Sequence, residues 1–134
     1  MTLTADSKGP SGVDDDPLQV LWVDPDLASS RQFTSPHFLV AAVPTLAQAL
    51  HLAERAAVVV SELRLDGDAT GLELAQQLRN RGISVPLVLV SAHAKGFSEV
   101  DIKAAKAQGF FAKPYEPRAL ELTLLRLTSG ASIP

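Results

Sequence analysis

Five short apolar runs punctuate the chain: Leu18 to Val23, Phe38 to Val43, Ala57 to Ser61, Val85 to Val90 and Phe110 to Ala112. Each is rich in valine, leucine or phenylalanine and lacks the in-out alternation of a half-solvated strand, so each predicts a strand buried on both faces. Between them lie segments with helical spacing. Asp24-Pro25-Asp26 turns the first run into a helix over Leu27 to Phe33, with Asp26 as its cap. Pro44-Thr45 opens an Ala/Leu-rich helix that runs to about Arg55, with Leu46, Ala49, Leu50 and Ala53 on one stripe. A third helix spans Leu72 to Arg79 and meets the stop signal Asn80-Arg81-Gly82. A fourth covers Phe97 to Gln108, with Gly109 in the helix-ending position. A fifth covers Glu116 to Leu127, with Pro117 in its first turn. Strand alternating with helix argues for an α/β fold with a parallel sheet covered on both sides.

Residues 1 to 17 are rich in Thr, Ser, Gly, Pro and Asp and predict a disordered tail; 18 to 128 form the domain, and 129 to 134 a short C-terminal tail. The chain of 134 residues is of single-domain size. No apolar run approaches the roughly 18 residues that a membrane-spanning helix needs. Met1 to Gly12 has neither the basic start nor the apolar core of a signal peptide. The absence of cysteine excludes disulfides, thiolate catalysis and thiolate metal sites, and fits a cytoplasmic protein. A net charge of −3 without a Lys/Arg cluster disfavours nucleic-acid binding by this chain.

The chemistry gathers at strand ends. Asp24 follows the first strand, Glu62 the third, Ser91 ends the fourth, and Lys113-Pro114 follows the fifth. Strand ends of an open α/β sheet are where such folds keep their sites. Val58 to Leu65, with the sequence Val-Val-Val-Ser-Glu-Leu-Arg-Leu, ends in the turn-rich Asp66-Gly67-Asp68-Ala69-Thr70-Gly71. Acid, hydroxyl and lysine in this arrangement resemble the receiver domain of two-component response regulators, over about residues 18 to 128. The resemblance implies a doubly wound, five-stranded parallel sheet of flavodoxin-like order 2-1-3-4-5 with five helices. It also implies a phosphoacceptor position at Glu62, a switch pair at Ser91 and Phe110, and the site lysine at Lys113, aimed by a cis bond to Pro114. In that family two adjacent acids after the first strand help to hold a divalent cation while an aspartate takes a phosphoryl group from a histidine kinase. Metal and lysine neutralise the charge that builds up.

Here the pattern departs from the family at the acids and in the loop that follows. Asp24 matches the first acid, but Pro25 stands where the second is usual and has no ligand atom, so no cofactor is expected and an Mg2+ site is degraded. Glutamate replaces the acceptor aspartate. Its carboxylate, one methylene further out, either imitates part of a phosphorylated aspartate or simply forms a salt bridge with Lys113. The loop from Glu62 to Gly71 is one residue longer than usual, with Asp66 where a proline is common.

Other acidic and basic residues have plainer readings. Asp26 serves better as a cap than as a ligand. Val13-Asp14-Asp15-Asp16-Pro17 imitates the acidic signature but follows no strand. Asp66 and Asp68 suit a turn. His37, His51 and His93 show no ligand spacing, and dinucleotide, Walker and serine-hydrolase motifs are missing.

A phosphorylation-independent receiver is therefore expected. It would work through protein contacts on the face of the fourth helix, fifth strand and fifth helix, near Phe97, Ala104, Phe110 and Tyr115. A histidine kinase or another regulator is the expected partner, and pairing of two copies through the same face stays open. Two alternatives remain at this stage. One is a receiver still phosphorylated at Asp66 or Asp68. The other is a small α/β enzyme using Asp24, Glu62 and Lys113.

Overall fold

The strands lie side by side in one parallel sheet in the order β2-β1-β3-β4-β5. They are β1 (Leu18–Val23), β2 (Phe38–Val43), β3 (Val58–Glu62), β4 (Leu87–Ser91) and β5 (Gly109–Ala112). Helix 1 (Leu27–Gln32), helix 2 (Leu46–Leu52, continued by a 3-10 turn over Ala53–Arg55), helix 3 (Gly71–Asn80), helix 4 (Glu99–Ala104) and helix 5 (Pro117–Gly130) connect and follow them. The structure is a computed structural model that describes residues 16–92 and 98–130. The tail residues 1 to 15 and 131 to 134, with the acidic pair Asp14-Asp15, lie outside the described residues, as do His93 and Phe97. The expected strand order is the one observed.

The apolar runs do not alternate because both faces of the sheet are covered. On one side, Leu21 and Val23 of β1, Val59 of β3, and Leu87 and Leu89 of β4 pack with helices 2 and 3 through Ala49, Ala53, Leu74, Ala75 and Leu78, and with Ala105 just past the end of helix 4. On the other, Val20, Trp22, Val58, Val60, Val88 and Val90 pack against Phe33 and against Leu120 and Leu124 of helix 5. Leu74, Leu78, Leu120 and Leu124 are fully buried. Truncating any one of them to alanine costs about 2–5 kcal/mol in such a setting. The central strands are therefore a rigid base for whatever stands at their carboxyl ends.

Several expected boundaries move, and each shift has a local cause. Helix 1 is 3-10 rather than α. The Asp26 carboxylate caps it by accepting from Ala28 N, and the Ser29 N–H donates to Asp26 O, an i to i+3 bond. Ser30 Oγ donates to Leu27 O and occupies a carbonyl that an α-helix would reserve for its backbone. Helix 4 ends at Ala104, well before Gln108, and Gly109 is not its terminator but the first residue of β5. Lys106 takes the left-handed conformation at φ 61° instead. Lys106 N donates to Lys103 O and Ala107 N to Ile102 O, the paired bonds that close a helix end. The Arg79 guanidinium donates to the Lys106 carbonyl at 2.9 Å and so holds this unusual lysine in place. Helix 3 ends at the expected stop with the same pair of bonds, and there Gly82 takes the positive φ of 78° without strain. β3 runs one residue later than expected, to Glu62, and β4 is Leu87–Ser91 rather than 85 to 90. β5 begins one residue early, and helix 5 runs on to Gly130, past the expected end at Leu127.

Candidate functional site

Glu62 is the last residue of β3, and the chain beyond it folds into a small tongue before helix 3. Leu63 N donates to Val90 O, which continues the sheet by one bond, and Gly71 N returns to Leu63 O. Arg64 and Thr70 form an antiparallel bridge, and Leu65 N donates to Ala69 O. Leu63 and Leu65 are buried and anchor the tongue. Its tip turns at Gly67, φ 62°, leaving Asp66 and Asp68 exposed on either side. Their setting is that of turn residues. Thr70 caps helix 3 by accepting from Glu73 N. Gly71 sits so close to β3 that an added Cβ would stand 2.7 Å from Glu62 O and 2.6 Å from Leu89 Cδ2. The backbone at Glu62 is thus fixed by the strand below it and the glycine beside it.

The Glu62 side chain curls over the strand end. Oε1 accepts from Lys113 Nζ at 2.8 Å, while Oε2 shares the single Leu63 N–H, at 2.8 Å, with Val90 O and accepts more weakly from Arg64 N at 3.4 Å. Lys113 reaches the site from the end of β5. Its backbone N–H donates to Ser91 O at 2.8 Å, and its bond to Pro114 is cis, as the resemblance implied. The ammonium also donates to Asp24 Oδ2 at 3.3 Å and to Ser29 Oγ at 3.4 Å. The Asp24 side chain is only 6% exposed, Glu62 14% and Lys113 24%, so these charges meet largely out of water. Burial works against the lysine's charge. Hydrogen bonding and Coulomb attraction from Glu62, with a smaller share from Asp24, outweigh it and hold the ammonium above the usual lysine range.

The carboxylates at this strand edge are engaged within the protein itself. Asp24 Oδ1 accepts from Asp26 N, and Oδ2 accepts from the lysine. Pro25 offers no side-chain ligand atom, and the exposed Asp26 turns Oδ1 to the cap of helix 1. Both Glu62 oxygens have donors. Among the described residues no group of three or more His, Asp or Glu converges as metal ligands would.

Ser91 closes β4 at 2% exposure, next to Lys113 through the backbone bond just described. Phe110 is half-buried on β5 against the core cluster of helices 2, 3 and 4. Phe111 points to the opposite side and meets Tyr115 edge-on at 6.4 Å. The Tyr115 hydroxyl is buried with no hydrogen-bond partner, and burial raises its pKa. His37 and His51 are exposed. The spacing of strand-end residues pointed to Asp24, Glu62, Ser91 and Lys113. Nothing in the sequence pointed to Ser29, to the Leu63 and Arg64 amides, or to the tight seat of Gly71, because each depends on how loops come together.

Comparison with known proteins bears on the fold and the family. Among curated protein sequences nothing matches the chain. Solved structures with the same fold include the receiver domain of Francisella response regulator 1452, with 19% identity and a TM-score of 0.74 over 85% of this chain and 98% of that one. The chemotaxis response regulator CheY4 of Vibrio cholerae is 26% identical, with a TM-score of 0.70 over 84% of this chain and 99% of that one. The signal receiver domain of a modulated diguanylate cyclase from Desulfovibrio desulfuricans G20 is 22% identical, with a TM-score of 0.74 over 87% and 98%. Residues 13–125 match the profile of the response regulator receiver domain. The chain therefore belongs to the response regulator receiver domain family.

Proposed function

We propose that this receiver works without being phosphorylated and signals by protein contact, with Glu62 filling the acceptor position and Lys113 bound to it. The observation that carries the reading is the capture of both Glu62 oxygens, one by the lysine at 2.8 Å and one by Leu63 N at 2.8 Å. A nucleophile must present a free oxygen to phosphorus. Both oxygens of this carboxylate already accept hydrogen bonds that hold them in place, and a lysine that would neutralise an incoming phosphoryl group is already paired. The extra methylene is what lets Oε2 fold back onto the strand's own backbone while Oε1 stays on the ammonium. A permanently formed carboxylate–lysine contact holds β3 and β5 in one relative arrangement, which a phosphate would otherwise have to impose. The domain's task on this reading is signalling rather than turnover.

Its output surface is the face of helix 4, β5 and helix 5. Val100 is 74% exposed on helix 4 and Leu122 50% exposed on helix 5. A groove between helix 4 and β5 is lined by Ile102, Ala107 and Phe110, with Glu99 and Lys103 at its rim. An apolar floor with a charged rim suits a protein partner, a histidine kinase or another regulator. Incubation with acetyl phosphate and Mg2+ tests the reading by intact mass. No phosphoryl adduct is expected. A stable adduct on Glu62, Asp66 or Asp68 would overturn it. In the converse experiment, the double variant Glu62→Asp, Pro25→Asp should gain Mg2+ binding on an otherwise unchanged scaffold.

A further inference from the structure

The lysine has a third partner that the charge pairing does not require. Ser29 lies half-buried on helix 1, a separate element from β1, β3 and β5, and its Oγ stands 3.4 Å from Lys113 Nζ. An ammonium has three protons. Asp24 Oδ2, Glu62 Oε1 and Ser29 Oγ are three acceptors, one each from the β1 end, the β3 end and helix 1. We propose that Ser29 is a positioning residue of this site: its hydroxyl takes the third ammonium proton, so that Lys113 has no donor left for an anion entering the cleft. The inference rests on the reading that the site is self-occupied, and it assigns helix 1 a part in keeping it so. One short carboxylate contact, at 2.8 Å, and one longer one, at 3.3 Å, would alone leave the ammonium free to pivot. A neutral acceptor on a third side stops the pivot without adding to two carboxylates a charge that would draw in a cation. The groups that accept from the Lys113 ammonium are then Asp24, Ser29 and Glu62.

The local build of helix 1 supports the assignment. The 3-10 winding is set by the Asp26 cap and by the side-chain bond from Ser30 Oγ to Leu27 O. Ser30 is thus the residue that shapes the helix, and Ser29 the one that faces the site. The two serines separate a shaping role from a positioning role.

The test is the exchange of the Lys113 ammonium protons with water, followed by 15N NMR of the whole chain labelled at lysine and assigned with Lys113→Gln. The Ser29→Ala variant should speed this exchange by roughly three- to tenfold, the loss expected for one long hydrogen bond to a charged donor. Ser29→Thr should restore the slow rate, and Ser30→Ala should leave it unchanged. An unaltered rate in Ser29→Ala, a failed rescue by threonine, or an equal effect of Ser30→Ala would each overturn the proposal, the last by showing only a loosened helix. A phosphoryl adduct on the wild-type chain would instead defeat the underlying reading, a separate readout that the exchange rates do not share.

Discussion

The Glu62 carboxylate and the Lys113 ammonium meet at 2.8 Å although they are 51 positions apart in the chain. Removing one member or the other should not be equivalent. Glu62→Gln leaves Lys113 with Asp24 and keeps a polar acceptor in place, so unfolding should become easier by about 1 kcal/mol. Lys113→Met strands two largely buried carboxylates beside each other, and about 2–3 kcal/mol is expected. Urea denaturation of both variants would check the ranking, and a costlier Glu62→Gln would contradict it.

Gly71 should tolerate no side chain. A Cβ there would meet Leu89 Cδ2 at 2.6 Å, the Glu62 carbonyl at 2.7 Å and Ser61 Oγ at 3.0 Å. One of these is backbone and cannot rotate away. Gly71→Ala is expected to lose about 2–3 kcal/mol by overpacking, although alanine favours helix elsewhere. A thermal midpoint equal to the wild type would show that the tongue can yield.

Acid should loosen the attachment of helix 5. The buried Glu121 carboxylate accepts from Ser35 Oγ and from Arg118 Nη1, and these bonds hold its pKa below the usual glutamate range. A carboxylate whose folded-state pKa is depressed adds stability above its unfolded value, and that stability fades as pH falls through the folded one. Unfolding free energy should therefore decline below the ordinary carboxylate range, with a shallower decline in Glu121→Gln. Identical slopes in the two proteins would contradict the assignment. Lys113 has the opposite sign: its raised pKa adds stability that is lost only as pH climbs through and above the ordinary lysine range.

Tyr115→Phe should raise stability. The phenol is buried without a partner, so its hydroxyl gives up water and receives nothing in return. Deleting it is expected to gain about 1 kcal/mol, or roughly 4 °C in the unfolding midpoint. A lower midpoint in differential scanning calorimetry would mean that the hydroxyl finds a partner in solution.

Local patterns carried the elements and their order along the chain. Five short apolar runs, the caps at Asp26 and Thr45, and the stop at Gly82 follow from side-chain shape, backbone preference and hydrogen bonding within a few residues. So did the strand-end residues Asp24, Glu62, Ser91 and Lys113, because a buried parallel strand can present polar groups only where it ends. Helix 4 misled because its terminator is a lysine held in the left-handed conformation and gripped by Arg79, which is 27 positions away. Ser29 was silent for a similar reason: a serine on a short helix means nothing until the end of β5 brings an ammonium to it. Hydrophobic periodicity and capping act over one or two turns of chain and leave their mark in neighbouring letters. The direction of the Glu62 carboxylate, the three acceptors around Lys113 and the clearance at Gly71 arise from contacts between distant segments, and those are set when the two apolar faces of the sheet close against their helices.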